Sequence, residues 1–154
     1  MVPDTYHAGM RDLQDRFDTR RLADRLDEHL GRDVFTEQDR AFIESRPLFF
    51  LTTADAQGRP DGSHKGGLPG FVRVTGPDLL EFPSCDGNGQ FRSLGKLQAN
   101  PSAGRLFIDF ESPRRVRVNG EARLLDDAEA LARHHGAQLV VQVRAMRIFP
   151  NCRR

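Results

Sequence analysis

Leu48-Phe49-Phe50-Leu51-Thr52-Thr53, then Asp55-Ala56-Gln57-Gly58, then Pro60 to Lys65: this stretch decides the fold. The first six residues form a continuous apolar and β-branched run of strand length. The Asp-to-Gly tetrapeptide has turn chemistry, and the third segment returns as a second strand. The same grammar repeats downstream. Phe71-Val72-Arg73-Val74 alternates, Thr75-Gly76-Pro77-Asp78 turns, and Leu79-Leu80-Glu81-Phe82 makes a strand. Arg105 to Phe110 and Arg115 to Leu124 read as two more strands, the second alternating clearly at its start. Gln138 to Ile148 reads as the last. Between them lie short helices at about 90–99 and 126–133. Six or more strands joined by tight turns predict a mainly β (α+β) fold, an antiparallel barrel with helices outside. No strand alternates with a long helix, which excludes a doubly wound parallel sheet.

Upstream the period is helical. Met10, Leu13, Phe17, Leu22, Leu26 and Leu30 recur at spacings of three to five, so residues 8–30 read as one amphipathic helix ending near Gly31. Its apolar stripe packs either on its own domain or on a partner subunit. Thr36 with Asp39 resembles a capping box for a second helix, which Pro47 stops near Arg46. The chain therefore divides into a helical extension, 1–32, and a barrel domain, 33–154.

The whole sequence sets bounds on function. It has 154 residues and a net charge of +1, with 38% hydrophobic and 29% charged residues, which describes one ordinary folded domain. No apolar run approaches the roughly 20 residues of a membrane helix. Met1 to His7 lacks the pattern of a secretory signal, and Cys85 and Cys152 are too few for a disulfide framework or a zinc site, so the expected compartment is the cytoplasm. No spacing of His, Cys, Asp or Glu makes a metal site.

The charge is uneven. Residues 1–46 carry 8 basic and 11 acidic groups, and residues 47–154 carry 15 and 11, giving −3 and +4. No acid occurs between Gly87 and Ile108. All basic residues except Lys65 and Lys96 are arginine, the side chain suited to bidentate contact with phosphate.

Three segments could carry chemistry. Ser63-His64-Lys65-Gly66-Gly67 sits where a strand gives way to a Gly-rich loop, so backbone amides, a hydroxyl and a cation can approach a flat or anionic ligand. In Asp86-Gly87-Asn88-Gly89-Gln90-Phe91-Arg92-Ser93-Leu94-Gly95-Lys96 a Gly-rich loop feeds a helix N-terminus, where open N–H donors, Arg92 and Ser93 suit a phosphate. The spacing is not that of a P-loop. In Arg115-Val116-Arg117-Val118 the two arginines share one strand face, which is also how a solvated face reads. A nucleic-acid binder would interleave aromatics with such arginines, and residues 112–125 contain none.

Taken in order, these phrases resemble the pyridoxamine 5′-phosphate oxidase-like FMN-binding family. They include Asp55-Ala56-Gln57-Gly58-Arg59-Pro60, Ser63 to Val72, Asp86-Gly87-Asn88-Gly89, Phe91-Arg92-Ser93-Leu94-Gly95, Ala99-Asn100-Pro101, Leu106 to Phe110, Arg114 to Gly120 and Ile148-Phe149-Pro150-Asn151-Cys152. The resemblance covers about Asp33 to Cys152. It implies a six- to seven-stranded antiparallel split β-barrel with flanking helices, and a homodimer with FMN at the subunit interface. It places Ser63, His64, Lys65 and Gly66 along the flavin, Asn88, Arg92 and Ser93 at the phosphate loop and helix, and Arg115, with Arg117, near the isoalloxazine edge. A vitamin B6 oxidase also carries a basic residue where this chain reads Gly66-Gly67-Leu68, and a C-terminal Arg-x-His where it reads Asn151-Cys152-Arg153-Arg154. The expectation is an FMN-dependent oxidoreductase of a small-molecule substrate, with NADH or NADPH as an electron donor and no activity on pyridoxamine phosphate. A non-catalytic flavin-binding or flavin-sensing module is the alternative.

Overall fold

A computed structural model describes residues 5–150. Five helices and seven strands follow in order: α1 Ala8–Arg16, α2 Arg20–Leu30, α3 Glu37–Glu44, β1 Leu48–Ala54, β2 Pro60–Gly66, β3 Arg73–Val74, β4 Leu79–Cys85, α4 Arg92–Ala99, β5 Ser102–Ile108, β6 Arg115–Leu125, α5 Ala128–Ala132 and β7 Ala137–Pro150. The strands make one antiparallel sheet in the order β2-β1-β5-β6-β7-β4-β3.

The sheet curls into a split barrel, and its core shows this directly. Phe49 of β1 meets Phe82 of β4 edge-on with centroids 4.9 Å apart, although three strands separate β1 from β4 along the sheet. Phe107 of β5 and Phe71 join the same cluster at 5.1 and 6.0 Å. Only a curled sheet brings those inner faces together. The curl is helped by a bulge on β7 at Met146, the residue left unpaired opposite Asn119 and Gly120 of β6.

Pairing sets the two faces. Partners across an antiparallel pair share a face. Ser63, Leu51, Arg105, Val118 and Ile148 form one row facing inward, and all but Ser63 are buried. The next row, His64, Phe50, Leu106, Arg117 and Phe149, faces outward.

The local expectations hold with several corrections. The capping box of α3 is present, with Asp39 N–H donating to Thr36 Oγ1 and Thr36 N–H to Asp39 Oδ2. The continuous helix 8–30 is instead two helices, broken at Asp18, whose φ of 52° is left-handed. Asp tolerates that conformation, and Asp and Thr both compete for backbone groups, so Asp18-Thr19 ends one helix and starts the next. The third strand is only Arg73–Val74. The fifth runs 102–108 rather than 105–110, because Asp109 accepts from Glu111 N and Ser112 Oγ and so makes a turn. The short helices start later than their sequence suggested, at Arg92 and Ala128.

Candidate functional site

The split in the barrel creates the site. β3 pairs only with Leu80 and Glu81, so among the described residues β4 from Phe82 to Cys85 has no strand neighbour on that side. The free edge of β2 comes round to face this gap, and the N-terminus of α4 closes its end. The result is a cleft of about 470 Å³ lined by Asp61, Ser63 and Lys65 of β2, Ser84 and Cys85 of β4, the Gly87–Phe91 loop, and Arg92, Ser93 and Leu94 of α4.

Each lining group has a local cause. On β2 the inward alternation puts Asp61, Ser63 and Lys65 on the cleft side. Ser63 Oγ lies 3.1 Å from Ser93 Oγ, which ties the strand to the helix. Gly89 takes φ of 70°, and the loop's glycines have open space where a side chain would project. Asn88 Oδ1 accepts from Gln90 N–H at 3.0 Å, which shapes the loop and leaves the amide NH₂ to donate. Phe91 is the N-cap of α4 in the left-handed region, with φ of 48°. A phenylalanine there is strained by roughly 1 kcal/mol or more and offers no acceptor to the helix. The first N–H groups of α4 therefore open toward the cleft without a side-chain cap.

The electrostatics favour an anion. The Arg92 side chain is 70% exposed, and its nearest carboxylate, Asp61, is 3.9 Å away. Lys65 has no ion pair among the described residues. By contrast Lys96, one turn on, is held by Asp55 at 3.6 Å and by the Arg59 carbonyl. Two available cations, two hydroxyls and a helix N-terminus form a phosphate-type donor set. Among the described residues no group of three His, Cys, Asp or Glu could hold a metal.

The structure thus brings together five of the nine residues singled out from sequence: Ser63, Lys65, Asn88, Arg92 and Ser93. His64 and Gly66 lie on the opposite, outward face of β2. Arg115 and Arg117 lie outward on β6, with Arg117 stacked on Phe149 at 5.6 Å. Arg114, the other arginine of that segment, donates to the Gln38 carbonyl and stacks on Phe42. Cys85 is exposed and has no disulfide; Cys152 lies outside the described residues. Sequence reasoning missed Asp61, Ser84 and Cys85 as cleft residues, while Phe91 and Leu94 lie in the loop-and-helix segment it had picked out. The alternation of β2 had signalled Asp61, since it shares a face with Ser63.

Sequence reasoning also passed over two buried polar groups. Arg105 is 1% exposed on the inner face of β5, where Nη1 donates to the Ala103 carbonyl and Nε and Nη2 have no hydrogen-bond partner among the described residues. Burial pushes its guanidinium down to about 9. Glu81, also 1% exposed, accepts two hydrogen bonds from Arg133 and one from Gln142, with His134 Nε2 at 3.4 Å.

The family described as Pyridoxamine 5′-phosphate oxidase matches residues 35–151. A putative pyridoxamine 5′-phosphate oxidase from Lactobacillus delbrueckii has the same fold, with a TM-score of 0.63, 23% identity, and coverage of 77% of this chain and 95% of that one. An FMN-binding protein from Syntrophomonas wolfei matches with a TM-score of 0.57 at 13% identity, covering 91% of this chain and 97% of that one. The heme storage protein HutZ from Vibrio cholerae matches with 0.53 at 16% identity, over 73% and 92%. No curated protein sequence matches the chain. With the split barrel formed and the family's pattern spanning three-quarters of its length, the chain belongs to the pyridoxamine 5′-phosphate oxidase family.

Proposed function

We propose that this chain binds FMN and acts as an oxidoreductase on a small-molecule substrate, as a homodimer whose flavin site lies at the subunit interface. The observation that carries the reading is the donor set at the seam: the uncapped N-terminus of α4, with Arg92, Lys65, Ser63 and Ser93 around one cleft. A flavin phosphate needs about two charges offset, which Arg92 and Lys65 supply. The fold shared with a protein described as FMN-binding supports it. Heme, the cargo of another relative, fits this cleft less well. Among the described residues no histidine lines it, and Cys85 is its one side chain suited to iron.

Arg92 and Lys65 would hold the phosphate. Ser63 and Ser93 would donate beside it, and Asn88 would donate from the loop. His64, Gly66, Arg115 and Arg117 face away from this cleft, so in this reading they serve a site across the subunit boundary. Bound flavin supplies a hydride acceptor; the protein's part is to place the donor and tune the ring with nearby charge. NADH or NADPH is the proposed electron donor.

The first test is the absorbance spectrum of purified protein incubated with FMN or with hemin. Flavin bands at stoichiometric loading are expected, and a Soret band with no flavin uptake would overturn the reading. Reduction of the bound flavin by NADH or NADPH separates a reductase from a non-catalytic flavin-binding module.

Arg92→Ala is expected to weaken FMN binding ten- to a hundredfold, because one charge-assisted contact of roughly 1.5–3 kcal/mol is lost. Since the Arg92 side chain is mostly exposed, the circular dichroism spectrum should not change. Fluorescence titration with FMN measures it, and an unchanged dissociation constant would move the phosphate toward Lys65.

Pyridoxamine 5′-phosphate is expected not to be oxidised, even by FMN-loaded protein. A phosphorylated substrate needs its own fixed cations. Leu68 stands where a B6 oxidase has one, Arg114 is engaged with α3, and Arg117 faces outward. The assay is formation of pyridoxal 5′-phosphate in air with hydrogen peroxide followed in parallel. Turnover of about 0.1 per second or more would show a second phosphate site.

A further inference from the structure

The helices that precede the family's region are turned the wrong way round for a single subunit. An amphipathic helix normally buries its apolar stripe on its own domain. Here no residue of α1 or α2 is buried. Helix α2 instead turns Ala23, Asp27 and Gly31 toward the rest of the chain. Asp27 pairs with Arg147 of β7, the Ala23 carbonyl accepts from Tyr6, and Arg32 is bridged to Ile148 by two backbone hydrogen bonds. Helix α1 turns Arg11 and Gln14 inward, and Arg11 pairs with Asp24 of α2. Polar ties therefore hold the hairpin in place. Met10, Leu13 and Phe17 of the first helix and its end, and Leu22, Leu26 and Leu30 of the second, are left 42–67% exposed.

We propose that this stripe clasps a second copy of the chain, seated on the outward face of that copy's β1–β5–β6 sheet. This rests on the homodimer reading above. Three observations choose the occupant. The first is area. The chain exposes 9844 Å², whereas a folded monomer of 17.4 kDa exposes about 7,900 Å². The excess, about 2,000 Å², is more than the about 800 Å² per partner of a standard interface. The second is chemistry: the outward row contains Phe50, 38% exposed, with Leu106 and Phe149 beside it. This is the counterpart surface that an apolar stripe requires, and two-fold symmetry would bury both stripes at once. The third is charge. The extension carries Asp12, Asp18 and Glu28, none in an ion pair among the described residues, while the barrel half of the chain is net basic. The segment charges of −3 and +4 have the same sense.

The test uses the full chain. Sedimentation and light scattering of the wild type should give twice the 17.4 kDa chain mass at micromolar concentration. Leu22→Lys with Leu26→Lys should raise the dimer dissociation constant at least about a hundredfold with the circular dichroism spectrum unchanged, since neither side chain is buried within the subunit. A benzoylphenylalanine placed by Leu26→p-benzoylphenylalanine should yield covalent dimers linked to residues 48–54, 102–108 or 115–125 of the second copy. A dimer of unchanged affinity in the lysine variant, cross-links confined to one chain, or cross-links to residues 8–30 of the second copy would overturn the clasp and leave the homodimer standing. A wild-type monomer would remove both.

Discussion

Glu81→Ala should lower the stability of the protein by about 3–5 kcal/mol, which for a domain of this size is a fall in Tm of roughly 10–15 °C. The reason is the number of donors left behind. Glu81 receives Arg133 through both Nε and Nη2, at 3.0 and 2.8 Å, and Gln142 at 2.8 Å, with the ring of His134 at 3.4 Å. Burial by itself would raise the Glu81 pKa, but the hydrogen bonds and charge of Arg133, with Gln142 and His134, outweigh it and hold the carboxyl below its ordinary value. For His134, burial lowers the pKa, and Glu81 only partly restores it. Both groups bind fewer protons folded than unfolded. Their contribution is present above the unfolded pKa values and is lost as pH falls, first below about 6.5 for His134 and then through the folded pKa of Glu81. Glu81→Gln keeps an acceptor in the same shape and should cost less than Glu81→Ala, while flattening the acid limb. Thermal unfolding between pH 4 and 8 measures all three proteins; equal loss in both variants would show that the carboxylate charge, not the acceptor, carries the effect.

Gly120→Ala is expected to be still more damaging, by about 4 kcal/mol or more, enough to leave little folded protein at 37 °C. Gly120 of β6 sits opposite the β7 bulge, where a Cβ would overlap the Arg144 carbonyl oxygen and lie 3.1 Å from the Ala145 Cα. The obstacle is backbone of the adjacent strand, so no side chain can rotate away. To relieve it β6 and β7 must separate, and these two strands hold the middle of the sheet. Chemical denaturation measures it, and Gly62→Ala, on β2 with open space at its Cβ, is the matched control. Similar stability of the two variants would show that the bulge yields at little cost.

The two substitutions divide along the line between what is local in this chain and what is not. Strand periodicity at 48–53, 60–65, 79–82 and 115–124, the turn at Asp55–Gly58 and the Thr36–Asp39 cap were legible because neighbouring residues set them by hydrogen bonding and by alternation between two environments. The phosphate-type segment was legible for the same reason: a glycine loop entering a helix exposes amides whatever surrounds it. Alternation says that Arg115 and Arg117 share a face, but not which way the face points, nor that the cleft lies behind the sheet from them. The curl that joins β2 to the end of β4, the seam it opens and the burial of Glu81 with His134 depend on contacts between strands distant in sequence. The Met10 to Leu30 periodicity announced an apolar stripe, but only the tertiary structure decided that Asp27, tied to Arg147, turns that stripe outward. Sequence by itself determined which surfaces must leave water; the long-range register of the sheet decided where they go, because apolar burial is non-directional and its partner is set by topology.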